Sequence, residues 1–249
     1  MKSRLLFGLA FVLLATANIS AQQGFPPEAQ PIAIVQTEAA DGLILMGEFH
    51  SPQTFTDSMP AVLLMHMLNG DRSDWAPLIP ALQEAGFFVL TVDLRGHGQT
   101  GGRQDWDAAV GDVQAWLDWL RAQQRVRPDA VSIVGASIGS NLALIGCAND
   151  AQCATAVALS PGLNYYGLEP ADAVADALRE RSALLLASHR DAESAVAVET
   201  MLREARGEIG ARIYAGAAHG TNLFRDDPDR VARLIVDWLV EHIPSEAEG

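Results

Sequence analysis

The stretch Val131-Ser132-Ile133-Val134-Gly135-Ala136-Ser137-Ile138-Gly139 decides the fold. It begins as an apolar, β-branched strand and ends in the pattern G-x-S-x-G. The segment that follows, Ser140-Asn141-Leu142-Ala143-Leu144-Ile145, reads as a largely buried helix. A serine at such a strand-to-helix turn sits in a strained backbone conformation. Glycines flank it because a Cβ there would strike the neighbouring strand or helix. Its hydroxyl then stands above the C-terminal edge of a sheet, at the positive end of a helix dipole. In a chain with 21 glycines the pentapeptide also arises by chance, so the surrounding elements must carry the reading.

Outward from the elbow, strand-like and helix-period segments alternate. Ala33 to Thr37 and Leu43 to Phe49 form an expected hairpin around Asp41-Gly42. Ala61 to His66 is a continuous apolar run, as in a central strand covered on both faces. Helices are expected from Trp75 to Glu84, with Asp74 or Ser73 as cap and Pro77 in the first turn, and from Trp106 to Gln123. Further strands are expected at Phe87 to Val92, Thr155 to Leu159, Ser182 to Ala187 and Ala211 to Tyr214. Further helices are expected near Asp172 to Arg179, Ala192 to Glu204 and Pro228 to His242. Alternating β and α units predict one α/β domain over residues 31–243, with a mostly parallel twisted sheet and helices on both faces. The tail 244–249 is expected to be disordered.

A chain of 249 residues with 49% hydrophobic residues fills the core of such a domain, and its formal charge is −14. That acidity excludes nucleic acid and anionic membranes as natural partners, because no basic stripe is available to displace counterions. The first residues read as a leader. Lys2 and Arg4 precede the apolar run Leu5 to Ala15, and small residues follow at Ala17, Ser20 and Ala21. Cleavage after Ala17 or Ala21 fits equally, and the run is too short to span a bilayer comfortably. The expected location is therefore periplasmic or secreted, without stable membrane association once the leader is removed. Cys147 and Cys153 bracket the loop after the elbow helix. In an oxidising compartment a disulfide closing that loop is expected, and two separate buried thiols are the other reading. Zinc lacks a second ligand pair nearby.

A nucleophilic serine needs a base, and the base needs an anion to fix its tautomer. In sheets of this kind the order along the chain is Ser, then Asp or Glu, then His. Of the six histidines, only His219 stands in the loop directly after the last strand, the small-residue segment Ala215 to Thr221. Asp191 stands just beyond the strand ending at Ala187, with Glu193 as the alternative acid and His189 as a surface residue. For the oxyanion hole, backbone N–H groups are expected from Ile138 and from Leu68, with Met67 as the other choice. Met67, Leu68, Trp75, Tyr165, Tyr166 and Phe224 are the residues expected to line the site. The acidic pairs Asp71/Asp74 and Asp226/Asp227 read as helix caps rather than metal ligands.

These pieces resemble the α/β-hydrolase superfamily and, within it, serine esterases similar to dienelactone hydrolases. The matching stretches are His66-Met67-Leu68-Asn69-Gly70, Asp93-Leu94-Arg95-Gly96-His97-Gly98, Gly135 to Gly139, Asp191 and His219-Gly220. The resemblance implies a Ser137–Asp191–His219 triad, no cofactor, and a purely structural role for Asp93 to Gly98. Two departures stand out. Dienelactone hydrolases use a cysteine where this chain has Ser137, and the usual His-Gly is here His66-Met67. Only about twenty residues separate the strand ending near Ser160 from the one starting at Ser182, too few for a large cap. The expected activity is hydrolysis of a small-molecule carboxylic ester through an acyl-enzyme. The rivals are an acyltransferase or thioesterase with the same triad, and an exported binding protein without turnover.

Overall fold

A computed structural model of the chain describes residues 32–56, 58–178, 181–225 and 227–244. The expected leader, with both cleavage positions, lies outside the described residues, as do Asp226 and the tail beyond Pro244. Among the described residues, eight strands run β1 Ile32–Glu38, β2 Ile44–His50, β3 Met59–Met65, β4 Phe88–Val92, β5 Val126–Ala136, β6 Cys153–Leu159, β7 Ser182–Ser188 and β8 Glu208–Tyr214. The α-helices interleaved with them among the described residues are α1 Ile79–Glu84, α2 Trp106–Arg121, α3 Ile138–Asn149, α4 Ala192–Glu204 and α5 Pro228–His242. The sheet order is β1-β2-β4-β3-β5-β6-β7-β8. β2 pairs antiparallel with β1 and β4, and every pairing from β4 onward is parallel.

Side-chain alternation explains why this sheet needs helices on both sides. In β3, Ala61, Leu63 and Met65 face a core shared with α2, α3 and α4. Val62 and Leu64 face the opposite core, shared with α1 and α5. β7 divides the same way, Ala183, Leu185 and Ala187 against Leu184 and Leu186. All seven residues of β7 are buried. A chain packed like this presents function only at strand ends and loops.

The β1–β2 hairpin turns at Asp41-Gly42, with Gly42 at φ 84° and Leu43 N–H donating to Asp41 Oδ1 at 3.2 Å. Two expected helices are shorter than the sequence indicates. Trp75 to Glu84 divides into a 3-10 turn, Arg72–Trp75, and α1, which begins only at Ile79. Pro77 and Pro80 remove the N–H donors that a continuous helix would need, and Pro80 is tolerated in the first turn of α1. The cap of the 3-10 turn is Asp71, which accepts from Ser73 N–H at 2.8 Å, rather than Asp74 or Ser73. Around Asp172 the chain forms one π turn, Ala173–Ala177, instead of an α-helix. Among the described residues, no large cap domain stands between β6 and β7.

The motif Asp93 to Gly98 is structural. The Asp93 carboxylate accepts from Arg72 N–H at 2.9 Å, from Gln99 N–H at 2.7 Å and from the Arg72 guanidinium. A Cβ on Gly98 would fall 2.2 Å from Asp93 Cγ, so only glycine admits this closure. Arg95 forks onto Asp112 with two bonds of 2.6 Å and reaches Asp41. Those carboxylates hold its pKa above the usual arginine value despite its burial.

Candidate active site

Ser137 occupies the turn between β5 and α3 with φ 52° and ψ −118°, a left-handed conformation that a serine adopts only under constraint. A Cβ on Gly135 would lie 1.9 Å from Gly139 O, and one on Gly139 would lie 2.4 Å from Met65 O. Both glycines are therefore required by backbone contact. Ser137 N–H donates to Leu159 O at 2.8 Å, which ties the elbow to β6. Ile138 opens α3, and its N–H has by position no acceptor within the helix.

Three sequence-distant side chains meet here. His219 Nε2 lies 2.7 Å from Ser137 Oγ, and His219 Nδ1 lies 2.7 Å from Asp191 Oδ2. A carboxylate accepts, so Nδ1 carries the proton and Nε2 is left to accept from the serine hydroxyl. Asp191 holds the N-cap position of α4 yet caps nothing there. Its carboxylate is turned to His219 instead. Glu193 is exposed on the first turn of α4.

The loop after β3 is fixed by its own histidine. Leu94 N–H donates to His66 Nε2 at 3.0 Å, so the His66 proton resides on Nδ1 and is donated to Met67 O at 2.7 Å. Gly70 N–H donates to the same carbonyl at 3.0 Å. In a trans peptide this orients Leu68 N–H to the opposite side. Burial holds the His66 pKa below the ordinary imidazole range, although the bond to Met67 opposes the shift. Met67 also packs its side chain toward the histidine loop, with Thr221 Oγ1 at 3.6 Å from its sulfur.

On the other side stands the loop after β6. Tyr165 OH contacts Ser160 O at 3.4 Å and Ser194 Oγ at 3.3 Å, and its ring meets the His219 ring edge-on at 6.5 Å. Burial raises the Tyr165 phenol pKa, a bond to Ser194 opposes this, and the negative charges of Glu193 and Asp191 add to it. Tyr166 is 65% exposed and lies 6.0 Å from the Trp106 ring. Trp75 and Phe224, expected to line the site, are instead interior. They are 0% and 4% exposed and pack edge-to-face in the core beneath α1 and α5. Residues so enclosed present nothing to a ligand arriving from solvent.

Two contributors escape the sequence reading. Asn141 on α3 is fully buried and clamps the β6 loop, donating to Gly162 O at 3.0 Å and Leu168 O at 2.9 Å while accepting from Gly162 N–H. Its signal is an amide side chain four positions after Ser137 on a largely apolar helix. Ser160 directly follows β6 at φ 55° and bonds to the histidine loop.

Cys147 and Cys153 form a disulfide with Cα atoms 5.2 Å apart. Arg181 donates to the carbonyls of Cys147, Ala148 and Asp150 around it. Asp227 caps α5 by accepting from Arg230 N–H at 3.2 Å. Among the described residues no helix is long and apolar enough to cross a membrane.

A sequence model of the alpha/beta hydrolase fold matches residues 60–189. An uncharacterized protein of Mycobacterium tuberculosis is 37% identical over 127 residues, covering 51% of this chain and 44% of its own length. The uncharacterized protein YfhR of Salmonella typhi is 29% identical over 133 residues, covering 50% and 44%. The chain thus spans under half the length of these curated relatives. Among solved structures, an esterase of Pyrococcus furiosus superposes with a TM-score of 0.72 at 16% identity, over 89% of this chain and 97% of that one. A dienelactone hydrolase of Anabaena variabilis gives 0.68 at 20% identity, over 86% and 100%. At such identities the likeness carries the fold.

Proposed function

The chain belongs to the alpha/beta hydrolase fold family, and from that premise we propose that it is a serine hydrolase of carboxylic esters working through an acyl-enzyme. The observation that carries the reading is the unbroken relay from Asp191 Oδ2 through His219 to Ser137 Oγ, with both bonds at 2.7 Å. Ser137 Oγ bonds to the ester carbon as its proton passes to His219 Nε2, and the carbonyl electron pair moves onto oxygen. The N–H groups of Ile138 and Leu68 receive that oxyanion, and Asp191 stabilises the imidazolium. Collapse expels the alkoxide, which takes the proton from His219. Water then gives a proton to His219 and attacks the acyl carbon, and Ser137 recovers its proton as the acid leaves.

Hydrolysis is favoured over acyl transfer because His219 is 37% exposed at its side chain and no large cap keeps water from it. Tyr165 and Tyr166 border the ester, which must be small or presented on a surface. The Cys147–Cys153 disulfide supports an exported enzyme, periplasmic or secreted. The test is turnover of p-nitrophenyl acetate and butyrate, with and without an alcohol acceptor. Release of free acid by the wild type, reduced by about 10⁴-fold or more in Ser137→Ala, is the expected result. Equal rates in the two proteins would remove the proposal. Acyl product partitioning mainly to the alcohol would favour a transferase.

A further inference from the structure

β5 and β6 are parallel neighbours, and each is followed directly by a serine held in the left-handed region: Ser137 at φ 52° and Ser160 at φ 55°. The elbow accounts for the first. The second has no elbow, no helix follows it directly, and its side chain is fully buried. Glycine occupies this region without penalty, so a serine kept there implies work for its hydroxyl. That hydroxyl accepts from Gly220 N–H at 2.9 Å, immediately after His219. Ser160 N–H is itself anchored to Leu186 O of β7 at 2.7 Å. Gly220 is left-handed at φ 58°, and a Cβ there would press on Met67 Sδ at 3.0 Å, so the loop turns sharply at this point.

We propose that Ser160 is the positioning residue for His219: its hydroxyl tethers the histidine loop to the sheet, so that Nε2 stays aimed at Ser137. The preceding loop is rich in small residues, Ala215-Gly216-Ala217-Ala218, and little in its own side chains fixes its path. Asp191 fixes the tilt of the imidazole through Nδ1, while Ser160 fixes the backbone from which the ring hangs. A shift of about an ångström in such a relay lowers reactivity by roughly 100-fold. This inference rests on the reading of His219 as the base.

Two variants separate the hydroxyl from the strain. Ser160→Ala loses the acceptor and keeps the left-handed backbone; Ser160→Gly loses the acceptor and relieves the backbone. The readouts are Tm and the kinetics of labelling by a fluorophosphonate, which need no knowledge of the natural ester. In both variants the maximal labelling rate should fall by about 10- to 100-fold, while the half-saturating probe concentration changes by less than about threefold. Ser160→Gly should melt above Ser160→Ala and near the wild type. A Ser160→Gly protein labelling at the wild-type maximal rate overturns the proposal, as does a rate loss that merely follows a fall in Tm. A wild type that does not label at all sinks the hydrolase reading first and takes this inference with it.

Discussion

Asp191 stands at the N-cap position of α4 but turns its carboxylate away from the helix and onto His219 Nδ1 at 2.7 Å. Aspartate at an N-cap ordinarily accepts from the backbone, which contributes about 1 kcal/mol. Forgoing that bond leaves the carboxylate to serve the histidine alone. Asp191→Asn should therefore lower the hydrolysis rate by about 10³- to 10⁴-fold with little loss of Tm, because the amide favours the wrong imidazole tautomer. Glu193→Ala, at the exposed neighbour, should stay within about twofold of wild type. Comparable losses in the two variants, measured as kcat/KM on a p-nitrophenyl ester, would contradict the assignment.

The disulfide closes a short loop, with a sequence separation of 6 between Cys147 and Cys153. In the chain-entropy account such a closure stabilises the fold by about 2 kcal/mol. For a domain of this size that corresponds to a Tm drop of about 4–8 °C on reduction or in the Cys147→Ala/Cys153→Ala variant. The site lies at the opposite end of α3 from Ser137, so activity at 25 °C should persist. Calorimetry with and without reductant checks both parts, and an unchanged Tm would refute the stabilising role.

Acid should destabilise the fold through two buried imidazoles. Burial lowers the pKa of His66 and of His50 from 6.5, against the opposing bond to Met67 in the first and the opposing charge of Glu48 in the second. Below about 6.5 the unfolded chain takes up these protons while the folded chain resists them. The unfolded state then binds more protons, so stability falls as pH falls. Asp74 works in the other direction, since burial and then the charge of Asp71 raise the pKa of its carboxyl. Tm should accordingly decline from pH 7 toward 5.5, and the imidazole carbon-proton shifts of His50 and His66 should remain at their neutral positions well below 6.5. A flat Tm across that window, or titration of both rings near 6.5, would count against it.

Much of this architecture is written locally. The apolar run at Ala61 to His66 and the clean period of Pro228 to His242 each specify an element without help from the rest; the helix has the expected bounds, and the strand begins two residues earlier, at Met59, and ends at Met65. The elbow was legible for the same reason: its glycines answer to contacts within one turn and the next strand. What escaped depends on distant partners. Trp75 and Phe224 are large and apolar, and nothing in their neighbours along the chain distinguishes a rim from a core; the packing of α1 against α5 decided it. Ser160 and Asn141 are unremarkable polar residues until the folded chain brings Gly220 and Gly162 beside them. The break in the helix at Trp75 was visible in principle, since Pro77 and Pro80 lie three apart.

Covalent capture tests whether Ser137 is made nucleophilic by a histidine 82 residues away along the chain. The folded wild-type protein, treated with a fluorophosphonate and digested, should yield one modified peptide carrying the adduct on Ser137, and Ser137→Ala should yield none. A correctly folded wild type that remains unmodified, or an adduct borne by another serine, would contradict the account.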